Sequence, residues 1–328
     1  MKYVYGFIVK IYNLIISTKF INLNNRFCRR VRAALFHNIC REHEAYFGPS
    51  NKERRFYVIR CPQDDMGLFA VINYIVYHLK IAENRGMEPV VDWKYYPNKY
   101  FSEDASIGKV NVWELFFEQT SEVKLDEVYK SKNVVMSSGD WDAAALAEAR
   151  DQEKLAESSR IYNKYIHLNE ELKDVVEKEA YRIGYDHKRI LAVKIRGTDF
   201  ITAHPQDHSL VADTFTTIDV IKDKEEEWGR FDGIYLSTED SDILKQMKDC
   251  YGDRLYYTDT VTYERNDIGK GWLGDMIDLK DNNKIDAMKG YLISTYMLAR
   301  ADYLIAPCVG GTVGAMRIKG SYKGIYIS

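Results

Sequence analysis

The chain has 328 residues, 46 Lys+Arg against 49 Asp+Glu, and a formal net charge of −3. With 46% apolar and 29% charged residues it has the composition of a globular protein long enough for two domains. This excludes a disordered chain, a collagen-like repeat and a disulfide-stapled mini-fold. It also excludes a chain-wide grip on nucleic acid, which needs a positive field. The five cysteines, Cys28, Cys40, Cys61, Cys250 and Cys308, are widely spaced and form no C-x-x-C. They fit free thiols in a reducing compartment.

Residues 1–50 read as an apolar and basic helical segment. The charge-free runs Tyr3–Val9 and Ile11–Thr18 are broken by Lys10. Both fall well short of the roughly 20 residues a spanning helix needs. The basic stretch Asn25–Arg32 follows. Apolar residues mixed with Lys and Arg suit a helix lying on an anionic membrane surface. Peripheral membrane contact is therefore expected through residues 1–36, from the cytoplasmic side.

Beyond this segment the pattern alternates between strand and helix. Arg55–Arg60 reads as a strand, Cys61–Gly67 as a turn, and Leu68–Ala82 as a helix with apolar residues at helical spacing, stopped by Gly86. Glu88–Trp93 is the next strand, which completes a βαβ unit. Residues 94–140 are irregular, with a strand-like Asn133–Ser137. A helical connection over 141–181 closes a first half assigned to residues 51–185. Residues 186–328 form a second half. Its predicted strands are Arg189–Ile195, Gly233–Ser237, Arg254–Tyr257, Tyr303–Ala306 and Gly324–Ile327. Its predicted helices are Thr216–Trp228, Ser241–Asp249, Ile285–Arg300 and Val313–Ile318. The expected fold is α/β, with two Rossmann-like halves and a cleft between them, and ligands beyond the carboxyl ends of the strands.

Three segments carry chemistry. The strand Arg189–Ile195 runs into Arg196-Gly197-Thr198-Asp199. An arginine at a strand's carboxyl end offers a permanently charged fork to a diphosphate, and Asp199 can hold that fork. The strand Gly233–Ser237 runs into Thr238-Glu239-Asp240-Ser241-Asp242. Asp240-x-Asp242 has the form of a metal-binding pair, but acids in a first helical turn need no metal. No metal site is expected. The third segment, Ala306-Pro307-Cys308-Val309-Gly310-Gly311-Thr312, is a glycine turn before a helix, where bare backbone and amide donors can meet an anion.

The ordered set resembles the fucosyltransferase superfamily, which includes the α1,6-fucosyltransferases, the nodulation fucosyltransferases and the protein O-fucosyltransferases. The family's H-x-R-x-x-D motif reads Lys194-Ile195-Arg196-Gly197-Thr198-Asp199 here. Its second block reads Leu236-Ser237-Thr238-Glu239-Asp240, and its third Leu298–Ile305 ending at Gly310-Gly311-Thr312. The resemblance also covers Gly67–Asp92. It implies a GT-B-like, inverting, metal-independent glycosyltransferase with no cofactor and GDP-fucose as donor co-substrate. Arg196 would grip the β-phosphate, and Gly311 and Thr312 would hold phosphate oxygens. Lys194, Thr238, Asp240, Ser294 and Gly310 complete the implied donor site. Lys194 replaces the family's first-motif His, and Ser294 falls where a carboxylate often reads guanine.

A general base must take the acceptor hydroxyl's proton. The family's Glu, eight residues after the motif Arg, corresponds to His204. Asp65 and Gly67 in the first half, and the Trp272 loop, are expected near the acceptor or as a lid. The acceptor would be a glycan or lipid-linked glycan in bacterial surface polysaccharide synthesis. A non-catalytic nucleotide- or glycan-binding protein on the same fold is the alternative. A metal-dependent hydrolase built on His204, Asp207 and His208 is a third reading.

Overall fold

The computed structural model describes residues 41–60, 66–96, 109–142, 145–197, 214–264 and 284–328. The apolar and basic stretch up to residue 40 lies outside them, as do Asp65, Asp199, His204, Asp207, His208 and Trp272. No helix among the described residues is long and apolar enough to cross a membrane. The architecture is mixed α/β with two sheets built mainly from parallel pairs, each in its own compact unit.

The first unit takes the described residues up to 142, together with Lys164–Asn169. Its sheet has the order β1-β4-β2-β3, with β1 at His43–Ala45, β2 at Phe56–Arg60, β3 at Glu88–Asp92 and β4 at Val134–Met136. β2 pairs in parallel with β3 and β4, while β1 runs antiparallel on β4. The expected βαβ unit is present, its crossover being α1 (Leu68–Asn84). Helix α1 buries Leu68, Val71, Ile72, Ile75, Val76 and Leu79. It ends in a Schellman cap. Gly86, at φ +60, donates to Glu83 O, and Met87 donates to Ala82 O. A short helix, α2 (Leu125–Val128), packs Leu125 and Val128 against Phe56, Val58 and Val90. β1 was not expected. His-Glu-Ala has no apolar signature, and backbone pairing to β4 defines it.

A buried histidine fixes the open side of α1. His78 Nε2 lies 2.8 Å from Asp140 O, a group that can only accept, so Nε2 carries the proton. Nδ1 then accepts from the Tyr57 hydroxyl at 2.9 Å. Burial holds this neutral imidazole down to about 4.

The second unit takes residues 145–163 and Glu170–Ser328. Its strands are β5 (Ile190–Lys194), β6 (Gly233–Ser237), β7 (Leu255–Tyr256), β8 (Tyr303–Ala306) and β9 (Gly324–Ile327). All pairs are parallel, in the order β7-β6-β5-β8-β9. The helices are α3 (Gln152–Tyr165), α4 (Glu170–Ile183), α5 (Thr214–Trp228), α6 (Ser241–Tyr251), α7 (Lys284–Arg300) and α8 (Gly310–Lys319). Strand alternation sorts the faces. Leu191, Val193, Ile234 and Leu236 pack with Ile218 and Ile221 of α5 and Ile243 and Met247 of α6. Ala192 and Lys194, with Tyr235 and Ser237, take the opposite face, against α7.

The helical connection expected with the first half belongs mostly to the second unit. Arg317 of α8 donates through Nε to Glu148 at 2.8 Å, and Ser159 of α3 donates to Arg317 O at 2.7 Å. Helix α4 buries Leu172, Val176, Ala180 and Ile183 and packs on α7. Both helices follow their apolar faces, so the division falls near residue 144 rather than 185.

Candidate functional site

The strand order creates a topological switch point. From β5 the chain steps to β6 and β7 on one side, then returns to β8 and β9 on the other. The crevice beyond the carboxyl ends of β5 and β8 is where such sheets bind ligands. Three of the predicted segments end here. β5 delivers Lys194 and Arg196, β6 delivers Thr238 and Glu239, and β8 runs through Pro307 into α8.

Arg196 is held by Glu239. The guanidinium Nε lies 3.7 Å from Glu239 Oε1, and the two side chains are 18% and 13% exposed. The same oxygen accepts the Gly197 amide at 2.8 Å. Asp199 had been expected for this task from its position in the chain; it lies outside the described residues. Glu239 sits in the second predicted block but was not singled out, because a partner 43 positions away gives no local signal.

Asp240 does not face a donor ligand. Its Oδ1 accepts the amides of Asp242 and Ile243 at 3.0 Å each, which makes it the N-cap of α6. The carboxylate is fully buried, and a Cβ at Gly197 would overlap it. The expected donor-binding role is therefore replaced by a structural one. Asp240 starts α6 and also supports the loop that carries Arg196. Thr238 Oγ1 accepts the Asp240 amide at 3.2 Å.

The glycine turn is also built differently from expectation. Val309 is the N-cap of α8 and supplies no side-chain hydrogen bond, so the first-turn amides at Gly310 and Gly311 keep their outward donor character. Thr312, fully buried, donates its hydroxyl proton to Pro307 O at 2.7 Å. That proton is not offered to a phosphate. The bare Cα of Gly311 accommodates the Tyr291 hydroxyl and the Lys194 stem, which a Cβ would crowd.

Lys194 and Ser294, the two departures from the family pattern, belong to one hydrogen-bonded chain. Lys194 is registered opposite Ser237 across the β5–β6 pair and lies 3.3 Å from its Oγ. Ser237 Oγ lies 3.3 Å from Ser294 Oγ, which donates to Tyr291 O at 2.9 Å. The terminal carbonyl can only accept, so the direction of the whole chain is fixed. Lys194 donates to Ser237, Ser237 to Ser294, and Ser294 to the backbone. The Lys194 Nζ also lies 5.0 Å from the centroid of the Tyr291 ring. Burial, opposed by Glu239 and assisted by Arg196, lowers its pKa to about 8.

Beside this chain lies a polar pocket of about 120 Å³. Ser237, Thr238, Thr258, Asp259, Thr260 and Ser294 are among its lining residues. Thr238 and Ser294, both predicted at the donor, thus meet in one cavity. Gly67, predicted near the acceptor, begins α1 in the first unit and is exposed, with open space where a Cβ would stand. Among the described residues, no group of three or more His, Cys, Asp or Glu side chains is arranged to hold a metal.

No family model and no curated protein matches the chain. Solved structures do. The NodZ α1,6-fucosyltransferase soaked with GDP-fucose aligns over 81% of this chain and 92% of its own, at 14% identity and a TM-score of 0.48. An Arabidopsis thaliana FUT1 variant in complex with GDP aligns over 85% and 71%, at 10% identity and a TM-score of 0.49. The apo form of POFUT1 aligns over 85% and 99%, at 11% identity and a TM-score of 0.44. These are fucosyltransferases, the group the motif resemblance names. All three TM-scores lie below 0.5, and the chemistry rests on this chain's own side chains.

Proposed function

We propose that the chain is a glycosyltransferase of the fucosyltransferase kind, built from two α/β units. It moves a sugar from a nucleotide diphosphate donor, GDP-fucose, to a hydroxyl of a glycan acceptor, with inversion and without a metal. The observation that carries this reading is Arg196. It stands at the carboxyl end of β5, is braced by Glu239, and shares a switch-point crevice with the uncapped N-terminus of α8.

The chemistry follows from charge. As the glycosidic bond to the diphosphate breaks, negative charge grows on the leaving oxygen. A preset guanidinium and the first amides of α8 stabilise that charge more than the ground state, which lowers the barrier. The polar pocket beside β6 takes the nucleoside, with Thr238 and Ser294 in its wall. His204 is assigned the acceptor proton, because an imidazole near neutrality is a competent base. The acceptor is a glycan or lipid-linked glycan of a bacterial surface polysaccharide, reached from the cytoplasmic face, with residues 1–36 resting on the membrane.

The test is transfer from labelled GDP-fucose to a panel of glycan acceptors in the presence of chelator, with Arg196→Ala alongside. Product from the wild type and its loss in the variant support the reading. GDP binding without turnover on any acceptor favours a non-catalytic nucleotide-binding protein. That second reading draws on Lys194 and Ser294, which replace the family's base-reading pair with a closed hydrogen-bonded chain.

A further inference from the structure

Lys194 carries a charge that the described protein does not balance. It is 2% exposed, and among the described residues no carboxylate lies within ion-pair distance of its Nζ. Its contacts are the Ser237 hydroxyl at 3.3 Å and the face of Tyr291 at 5.0 Å. The charged groups that act on it are Glu239, which favours the ammonium, and Arg196, which opposes it. Glu239 is already engaged by Arg196 and by the Gly197 amide. Asp240 is engaged by the α6 amides.

A buried ammonium in this state either loses its proton or finds an anion. Its position decides what kind of anion. The Lys194 stem passes Gly311 in the first turn of α8, where helix amides already favour negative charge. Arg196 lies two residues further along the same strand end. Two cations and a helix N-terminus around one crevice fit a diphosphate better than a single carboxylate.

We propose that the diphosphate of the donor is the missing counter-charge of Lys194, so that donor binding is coupled to proton uptake at its Nζ. This deepens the function proposed above. It adds a ligand-linked protonation that Arg196, charged at all pH values, cannot supply. Burial, the largest influence on this ammonium, lowers it to about 8 in the free protein, so roughly half of the molecules lack the proton at that pH. Affinity then falls about tenfold between pH 7 and pH 9.

The experiment is calorimetric titration of the full chain at pH 8 in two buffers of different ionisation enthalpy. The ligands are GDP and inorganic pyrophosphate, and the proteins are wild type, Lys194→Met and Lys194→Arg. The wild type is expected to take up about half a proton per ligand beyond either variant. Lys194→Met binds at least tenfold more weakly at pH 7.5, while Lys194→Arg keeps affinity that does not vary with pH. Equal binding and equal proton uptake in wild type and Lys194→Met overturn the inference. If Lys194→Met fails to fold, uptake that persists in Lys194→Arg overturns it. Pyrophosphate binding with Lys194-dependent uptake, but no response to GDP, sinks the donor reading and leaves the anion site standing. Silence to both ligands overturns both.

Discussion

Glu239 accepts the amide of Gly197 at 2.8 Å, so the loop after β6 sets the course of the loop after β5. The same carboxylate oxygen lies 3.7 Å from Arg196. One residue therefore meets both the backbone and the charge of the loop that follows β5. Glu239→Ala is expected to lower kcat/KM by about 10–100-fold, because a shift of about 1 Å in a positioned group has that effect. Glu239→Gln keeps an acceptor for the amide and loses less. Steady-state kinetics on the two variants check this; equal activity in all three proteins would show that Glu239 does not position Arg196.

Arg196→Ala should reduce kcat by about 10²–10³, the usual loss when one preset electrostatic donor is removed. Arg196→Lys restores the charge but not the planar fork, and should recover only part. Recovery to wild-type kcat by the lysine variant would mean that geometry at Arg196 is unimportant.

Lys194 gives an unusual pH signature in the absence of ligand. Its folded-state value of about 8 lies below the ordinary 10.5. Below pH 8 the folded chain holds the desolvated charge. Between about 8 and 10.5 the unfolded chain binds more protons, so stability rises with pH there. Lys194→Met removes the group. The ligand-free variant should be more stable than wild type by about 1–3 kcal/mol at pH 7, with the gap closing toward pH 10. Parallel thermal melts across that range measure it, and a gap constant with pH would refute it.

His78 acts in the same direction as Lys194, over a lower pH window. The folded chain keeps it neutral down to about 4, against 6.5 ordinarily. As pH falls from 6.5 toward 4 the unfolded chain gains the proton first, and stability is lost, by at most about 3 kcal/mol. His78→Gln should flatten this acid slope. Denaturant titrations at pH 7 and pH 5 decide it, since an unchanged slope would assign the acid loss to other groups.

Two glycines provide a contrast. Gly197→Ala should cost about 1–3 kcal/mol, because its methyl would overlap the buried Asp240 cap of α6. Gly67→Ala, at φ −66 with open space around it, should stay within about 0.5 kcal/mol of wild type. Equal effects would mean that the close approach of Asp240 to Gly197 is not maintained in solution.

What the sequence revealed was what short range controls. Helix α1 followed from its apolar spacing and Gly86, and β5, β6 and β8 from unbroken apolar runs. The pairing of Arg196 was not legible, since its partner comes from a neighbouring strand end. Lys194, Ser237 and Ser294 likewise meet only when β5, β6 and α7 have packed. In one dimension a capping acid such as Asp240 and a ligand-binding acid look alike, so its place under α6 shows only in the fold. Helix α3 was less distinct for a different reason. Its buried face is made largely of Ser158, Ser159, Ile161 and Tyr162, with little apolar contrast.

The central place of β5 has a consequence for how the chain is made. β5 is the first strand of its sheet to be synthesised, yet one of its edges waits for β8 near the end of the chain. At about 5–20 residues per second, that edge stays bare for several seconds after β5 leaves the ribosome. A nascent or truncated chain can thus contain Arg196, Lys194 and Glu239 and still lack the crevice they serve. Chains that stop before residue 303 are expected to lack this crevice and to fall to chaperones or proteases.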